Sequence, residues 1–366
     1  MKMKFAFCAL FAVLPYAVAQ QQPDLVGTVS FNVGSTSGRV ESIAVTVGDG
    51  GTGPYKAILA GDPSLPTHTI YRPGDLSPFG GKNLLPIVAF GSGGCRNSSG
   101  EFRNFLSEIA SHGYLVVAVG PAGDSVVSGS EGKLGQTKAV QLLDGVDWAI
   151  QQNSLAGSEY FGRINTSKIA VMGQSCGTMQ ATEVSTDPRV TTTVLLNGGG
   201  KLTSIRPNAS SQTQGNAPQT LTPGTYGNTN APRSNLFAVL DQMAKRYAPY
   251  APATPAGSME LPASPDAVFH GPVAYINGGP SDIAYTPASG GYEAVANVPA
   301  LFAFQDVGHY PATYRQSNGG AFAVAVVAWL DWQLKGDQAA SKMFVGANCG
   351  LCSDPKWTVR IKNLPN

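Results

Sequence analysis

The chain has 366 residues, 43% of them hydrophobic and only 13% charged, with a formal net charge of +1. That length suffices for a large core, and a nearly neutral chain without a Lys/Arg cluster offers no electrostatic handle to nucleic acid or to an anionic membrane. The 44 glycines and 26 prolines imply many turns and long loops and speak against a helical bundle.

The first twenty residues read as a signal peptide. Lys2 and Lys4 form a short basic start, 5–14 is an apolar run, and Ala17-Val18-Ala19 supplies small residues for cleavage before Gln20. The alternative is an N-terminal anchor, but the run is short for a span of about 20 residues. No other stretch reads as long and apolar enough to cross a bilayer. The expected mature protein, residues 20–366, is therefore a secreted single domain. Cysteine usage agrees. Cys8 leaves with the leader, and four cysteines remain, Cys95, Cys176, Cys349 and Cys352. An even number in an exported chain suggests disulfides. Asn97, Asn165 and Asn208 begin N-x-S/T sequons, each expected in a surface loop if glycosylated.

Short strands separated by turns are expected over 27–72, the clearest at 41–47 and 68–72. The run LLPIVAF at 84–90 then suits a strand buried on both faces of a parallel sheet. It ends in the turn Gly91-Ser92-Gly93-Gly94. The apolar spacing predicts a helix over 101–111, a strand over 114–119, a helix over 136–151 and a strand over 168–172. A helix over 178–185 and a strand over 191–196 follow. This alternation is the signature of a doubly wound α/β fold with helices on both faces of a mostly parallel sheet. Residues 201–265 break the pattern, with one helix expected at 234–246. So long an insertion is either a lid over the site or a surface excursion. Strands at 272–276 and 299–304 and a closing helix at 321–334 resume the fold.

Ser175 sits in Gly173-Gln174-Ser175-Cys176-Gly177, between the strand KIAVM and a helix. In that context G-x-S-x-G is a sharp strand-to-helix turn that presents the serine oxygen at the carboxyl edge of the sheet. Side chains at positions 173 and 177 would collide with the neighbouring strand and helix. A serine hydroxyl needs a general base, and the base an orienting carboxylate. Of the four histidines, His270 and His112 precede strands and so lie at the wrong end of the sheet, and His68 reads as structural. His309 follows the last strand and is the expected base. Asp282, after the preceding strand, is the expected acid. Asp306 is the rival, but it shares a short loop with His309. The backbone N–H of Cys176, with that of Ser92 or else Gly93, is the expected oxyanion hole. A Cys95–Cys176 disulfide would tie those two turns together and leave Cys349–Cys352 as a local ring. The alternatives for Cys349-x-x-Cys352 are a redox pair or half a zinc site, but no second ligand pair and no thioredoxin-like pattern lies nearby.

Together GQSCG at 173–177, FGSGGC at 90–95, ASHGYLVV at 110–117, GGPSD at 278–282 and VGHY at 307–310 resemble the secreted α/β-hydrolases near the dienelactone-hydrolase, chlorophyllase and polyester-hydrolase branches. The resemblance spans about 84–332. It implies the triad Ser175–Asp282–His309 and hydrolysis of carboxylic esters without metal or cofactor. It does not carry over the substrate class, small molecule or polymer, and a monomer is a separate expectation. The chain departs from dienelactone hydrolases in having serine rather than cysteine as nucleophile, and from polyester hydrolases in where its cysteines sit. A lactonase or tailoring hydrolase would use the same residues, and a non-catalytic binding protein on this fold is a further alternative.

Overall fold

A computed structural model describes residues 44–363, apart from 200–268 and single positions at 124, 125, 127, 128, 130, 131, 133, 297 and 311. The expected leader, the strands before residue 44, the insertion at 201–265 with its helix, and Asn208 lie outside the described residues.

The described residues form one ten-stranded sheet: β1 (Ala44–Val45), β2 (Ala57–Ala60), β3 (His68–Pro73), β4 (Leu85–Gly91), β5 (Leu115–Val119), β6 (Ile164–Gln174), β7 (Val190–Leu196), β8 (Val273–Asn277), β9 (Ala300–Phe304) and β10 (Thr358–Lys362). Across the sheet the order is β1-β2-β3-β5-β4-β6-β7-β8-β9-β10. The run from β5 through β4 and β6 to β9 is parallel, and both flanks are antiparallel. The helices are α1 (Arg103–Ser111), α2 (Val140–Ser154), α3 (Cys176–Val184), α4 (Tyr285–Ala294), α5 (Gly320–Lys335) and the single turns α6 (Gln338–Ser341) and α7 (Gly350–Ser353). This is an α/β architecture with a mostly parallel sheet.

The apolar strand runs follow from burial on both faces. In β4, Val88 and Phe90 join a layer with Phe105 and Ile109 of α1 and Val326 and Trp329 of α5. The alternate residues Leu85, Ile87 and Ala89 join the opposite layer, with Leu142 and Val146 of α2 and Ala181 of α3. The same alternation repeats in β5 to β9. The chain leaves β4 through α1 toward β5 on one side, and leaves β6 through α3 toward β7 on the other. β4 and β6 are hydrogen-bonded neighbours. Their connections part at the carboxyl ends, which makes this the topological switch point, the kind of place where α/β sheets take ligands.

Three details differ from the sequence expectation. The helix expected from 136 begins at Val140, and the N–H groups of Gly135, Gln136 and Thr137 before it donate to the carbonyls of Gly94 and Cys95. Thus 135–137 is held against the turn after β4. α4 was hidden by Pro287, Gly290 and Gly291, which dilute helical periodicity. β10 is a half-exposed edge strand with the polar pattern TVRIK.

Phe302 of β9 is fully buried among Tyr275, Tyr285, Tyr292 and Phe304, whereas Ile361 on β10 is 44% exposed. Phe302→Ala should lower unfolding free energy by about 3–5 kcal/mol and Ile361→Ala by about 0.5 kcal/mol or less. Urea unfolding of both variants measures the contrast, and equal losses would contradict this core assignment.

Candidate active site

β6 runs directly into Ser175, which caps the amino end of α3 with φ 52° and ψ −115°. A non-glycine residue is strained there. The turn cannot relax, because glycine makes backbone-to-backbone packing possible on both sides of it. A Cβ on Gly173 would lie 2.1 Å from the Gly177 carbonyl oxygen, and one on Gly177 would lie 2.0 Å from that of Gly91. The start of α3 therefore rests on its own strand and on the end of β4. Ser175 N–H donates to the Leu196 carbonyl at 2.9 Å. The Thr178 N–H and hydroxyl both donate to the Ser175 carbonyl, at 2.9 and 2.6 Å.

Three strand ends bring Ser175, His309 and Asp282 into contact. Ser175 Oγ lies 2.8 Å from His309 Nε2, and His309 Nδ1 lies 2.6 Å from Asp282 Oδ1. The Asp282 side chain is completely buried, while that of His309 is 16% exposed. Asp282 also accepts from Ala284 N–H at 2.8 Å, Gly278 N–H at 3.2 Å and Asn197 Nδ2 at 2.8 Å. Burial pushes the carboxyl upward. The bond and charge of His309, with the Ala284 and Asn197 donors, outweigh it and hold Asp282 below its ordinary value. An ionised Asp282 can only accept, so Nδ1 carries a proton toward it, and in the neutral ring Nε2 is a bare acceptor facing Ser175.

Asp306 stands elsewhere. Its Oδ1 accepts from Ser281 N–H at 2.8 Å, which clips the His309 loop to the Asp282 loop. The other histidines are engaged away from the site. His68 bonds the Gln141 carbonyl at 2.8 Å, His112 pairs with Glu108 at 3.2 Å, and His270 bonds the Val190 carbonyl at 2.9 Å.

The turn after β4 lies against this group. Cys95 is disulfide-bonded to Cys176, with Cα atoms 5.2 Å apart, and Cys349 to Cys352. In the first turn of a helix N–H groups have no intrahelical acceptor. The N–H groups of Ser92, Gly93 and Cys176 donate to no other group among the described residues. The amino end of α3 adds the positive end of its dipole. A Cβ on Gly93 would meet Gln174 Oε1 at 2.1 Å and the Tyr310 hydroxyl at 2.2 Å, so any side chain there would displace both of these groups. Gln174 Nε2 in turn donates to the His309 carbonyl at 3.1 Å and steadies the histidine loop. Gln174, Tyr310 and Asn197 are site residues the sequence reading missed. Gln174 and Tyr310 adjoin Ser175 and His309 in sequence, whereas Asn197 carries no motif.

Of the sequons, Asn97 is half-buried beside the turn after β4, and Asn165 lies at the start of β6 rather than in a loop, its side chain accepting from the Ser167 N–H and hydroxyl. No helix among the described residues is long and apolar enough to cross a membrane, and no group of three or more His, Cys, Asp or Glu side chains among them could hold a metal ion. No family model matches the chain, and a search of curated proteins finds no match.

Because the folded carboxyl of Asp282 sits below its ordinary value, the unfolded chain binds that proton at higher pH. The stability it contributes is fully present above the unfolded value of about 4 and is lost as pH falls toward the lower folded value. The difference in unfolding free energy between wild type and Asp282→Asn should therefore be constant above about pH 5 and shrink below about pH 4. Urea unfolding across that range tests this, and a gap that widens on acidification would contradict it.

Proposed function

We propose that the chain is a secreted serine hydrolase of the α/β-hydrolase fold that cleaves carboxylic esters through an acyl-enzyme intermediate. The observation that carries this reading is the continuous hydrogen-bonded chain Ser175–His309–Asp282 at the carboxyl ends of β6, β9 and β8. The order serine, acid, histidine along the chain, each after its own strand, supports the fold assignment. The two disulfides and the leader-like start favour export.

His309 Nε2 takes the proton as Ser175 Oγ attacks the acyl carbon, and the Asp282 carboxylate stabilises the imidazolium that forms. The oxyanion is met by Cys176 N–H and by Ser92 or Gly93 N–H, groups with no other acceptor among the described residues. One such donor is worth about 3–4 kcal/mol of transition-state stabilisation. The tetrahedral adduct collapses, the C–O bond to the alcohol breaks, and His309 delivers its proton to the departing oxygen. Water then enters by the same base, the acid leaves, and Ser175 regains its proton. The Cys95–Cys176 bond spans 81 residues of sequence and joins the two halves of the oxyanion site. A loop of that size corresponds to about 4–5 kcal/mol of unfolded-state entropy. It also fixes donors that must already be in place when charge develops.

A fluorophosphonate probe should label wild type at Ser175 and leave Ser175→Ala unlabelled, while Asp282→Asn should lower p-nitrophenyl ester turnover by about 10⁴-fold through the wrong histidine tautomer. An unlabelled wild type, or a labelled Ser175→Ala, would sink the reading. Removing both Cys95 and Cys176 as alanines should depress ester turnover more than removing both Cys349 and Cys352. Steady-state kinetics of the two double variants decides this, and equal effects would contradict a disulfide-held oxyanion site.

A further inference from the structure

Asn197 directly follows β7, the strand between those that lead to Ser175 and Asp282, and it is wholly buried. Its backbone has φ 48°, a left-handed conformation that asparagine accepts better than most residues. Its N–H continues the sheet by donating to the Ile276 carbonyl at 2.9 Å. Its side-chain amide is fully used. Nδ2 donates to Asp282 Oδ2 at 2.8 Å and to the Gly308 carbonyl at 3.3 Å. Oδ1 accepts from the Tyr314 hydroxyl at 2.5 Å. Because a carboxylate cannot donate, the NH₂ end must face Asp282, and the phenol then meets the oxygen. A Cβ on Gly278 would lie 1.8 Å from the Gly308 carbonyl oxygen and 3.0 Å from Asn197 Nδ2, so the approach of these loops requires glycine at that position.

Tyr314 has little freedom. Its ring is edge-on to Phe102, Phe105 and Phe322, with centroids 5.1, 5.3 and 5.7 Å away. Burial, reinforced by Asp282 and Tyr310, pushes its phenol well above the ordinary value, so it stays a neutral donor. An aromatic cage thus fixes a phenol, the phenol fixes an amide, and the amide meets the carboxylate oxygen that His309 does not use.

Resting on the serine-hydrolase reading, we propose that Asn197 and Tyr314 are positioning residues that hold the Asp282 carboxylate in the orientation His309 requires, and so set the reactivity of Ser175. Neutrality at position 197 is part of the role. The titratable groups around it are Asp282 and His309, the phenols of Tyr314 and Tyr310, and Asp306 on the Ser281 N–H. A carboxyl at 197 would face Asp282 across a hydrogen-bond distance. The two would share a proton at low pH, and the second negative charge that appears on its loss would favour the imidazolium of His309.

The test is the second-order rate of Ser175 modification by a fluorophosphonate, measured from about pH 5 to 9, with thermal unfolding followed in parallel. Asn197→Asp should move the ascending limb of the profile upward by about one pH unit. Tyr314→Phe, which keeps the caged ring, should lower the rate about tenfold without moving the limb. A purely structural role would leave the limb of a folded Asn197→Asp protein where it is in wild type, and that result overturns the proposal. If Asn197→Asp does not fold, Tyr314→Phe decides, and a wild-type rate overturns it. Wild type labelled at Ser175 with both variants unchanged defeats this inference alone, whereas wild type that is not labelled defeats the hydrolase reading and this inference with it.

Discussion

The geometry of the site depends on how closely the start of α3 approaches the end of β4. The Gly177 backbone lies so near the Gly91 carbonyl that no side chain fits between them, and Gly173 is pressed as closely by Gly177. This contact brings Cys176 within bonding distance of Cys95 and sets the turn after β4 beside Ser175. It also leaves Ser175 no ordinary backbone conformation, a strain on the order of 1–3 kcal/mol. The Ser175 N–H bond to Leu196 and the Thr178 bonds to the Ser175 carbonyl help sustain that strain. So do the apolar layers on both faces of the sheet, among them Met172 below the turn and Ala181 in α3. Two glycines thus connect strand packing, the disulfide and the exposure of the serine oxygen in one local arrangement.

The second constraint is electrostatic. A buried carboxylate is costly unless its oxygens are satisfied. Asp282 meets the requirement with donors from two loops and from the residue that follows β7. The same bonds that stabilise the charge fix its direction, so stability and orientation arise from one set of contacts. Asp306 contributes differently, as a clip between the two loops that carry Asp282 and His309.

Much of this was legible in the sequence because it follows from local chemistry. Continuous apolar runs at 84–90, 114–119 and 168–172 read as strands buried on both faces; β6 contains the last, and β4 and β5 begin one residue inside the first two. Glycine at 173 and 177 and histidine after the last parallel strand marked the site, since each answers a need of the turn or of the serine. Cysteines at the ends of two turns that had to meet gave the pairing found between Cys95 and Cys176. What stayed hidden depends on long-range contact. Asn197 is a lone asparagine at a strand end, and its partners Asp282 and Tyr314 are 85 and 117 residues away. α4 carries proline and glycine inside it, and its place comes from packing Ala288 and Tyr292 under the sheet rather than from propensity. The segment before α2 is tied to the carbonyls of Gly94 and Cys95, far from it in sequence.

The central claim is that Ser175 carries an acyl group during turnover. The most direct measurement is mass spectrometry of the protein quenched in acid a few milliseconds after mixing with p-nitrophenyl acetate. The account predicts a burst of p-nitrophenol equal to the protein present and an acetyl group on the peptide that contains Ser175. Turnover without a burst, or an acetyl group found only on another residue, would contradict it.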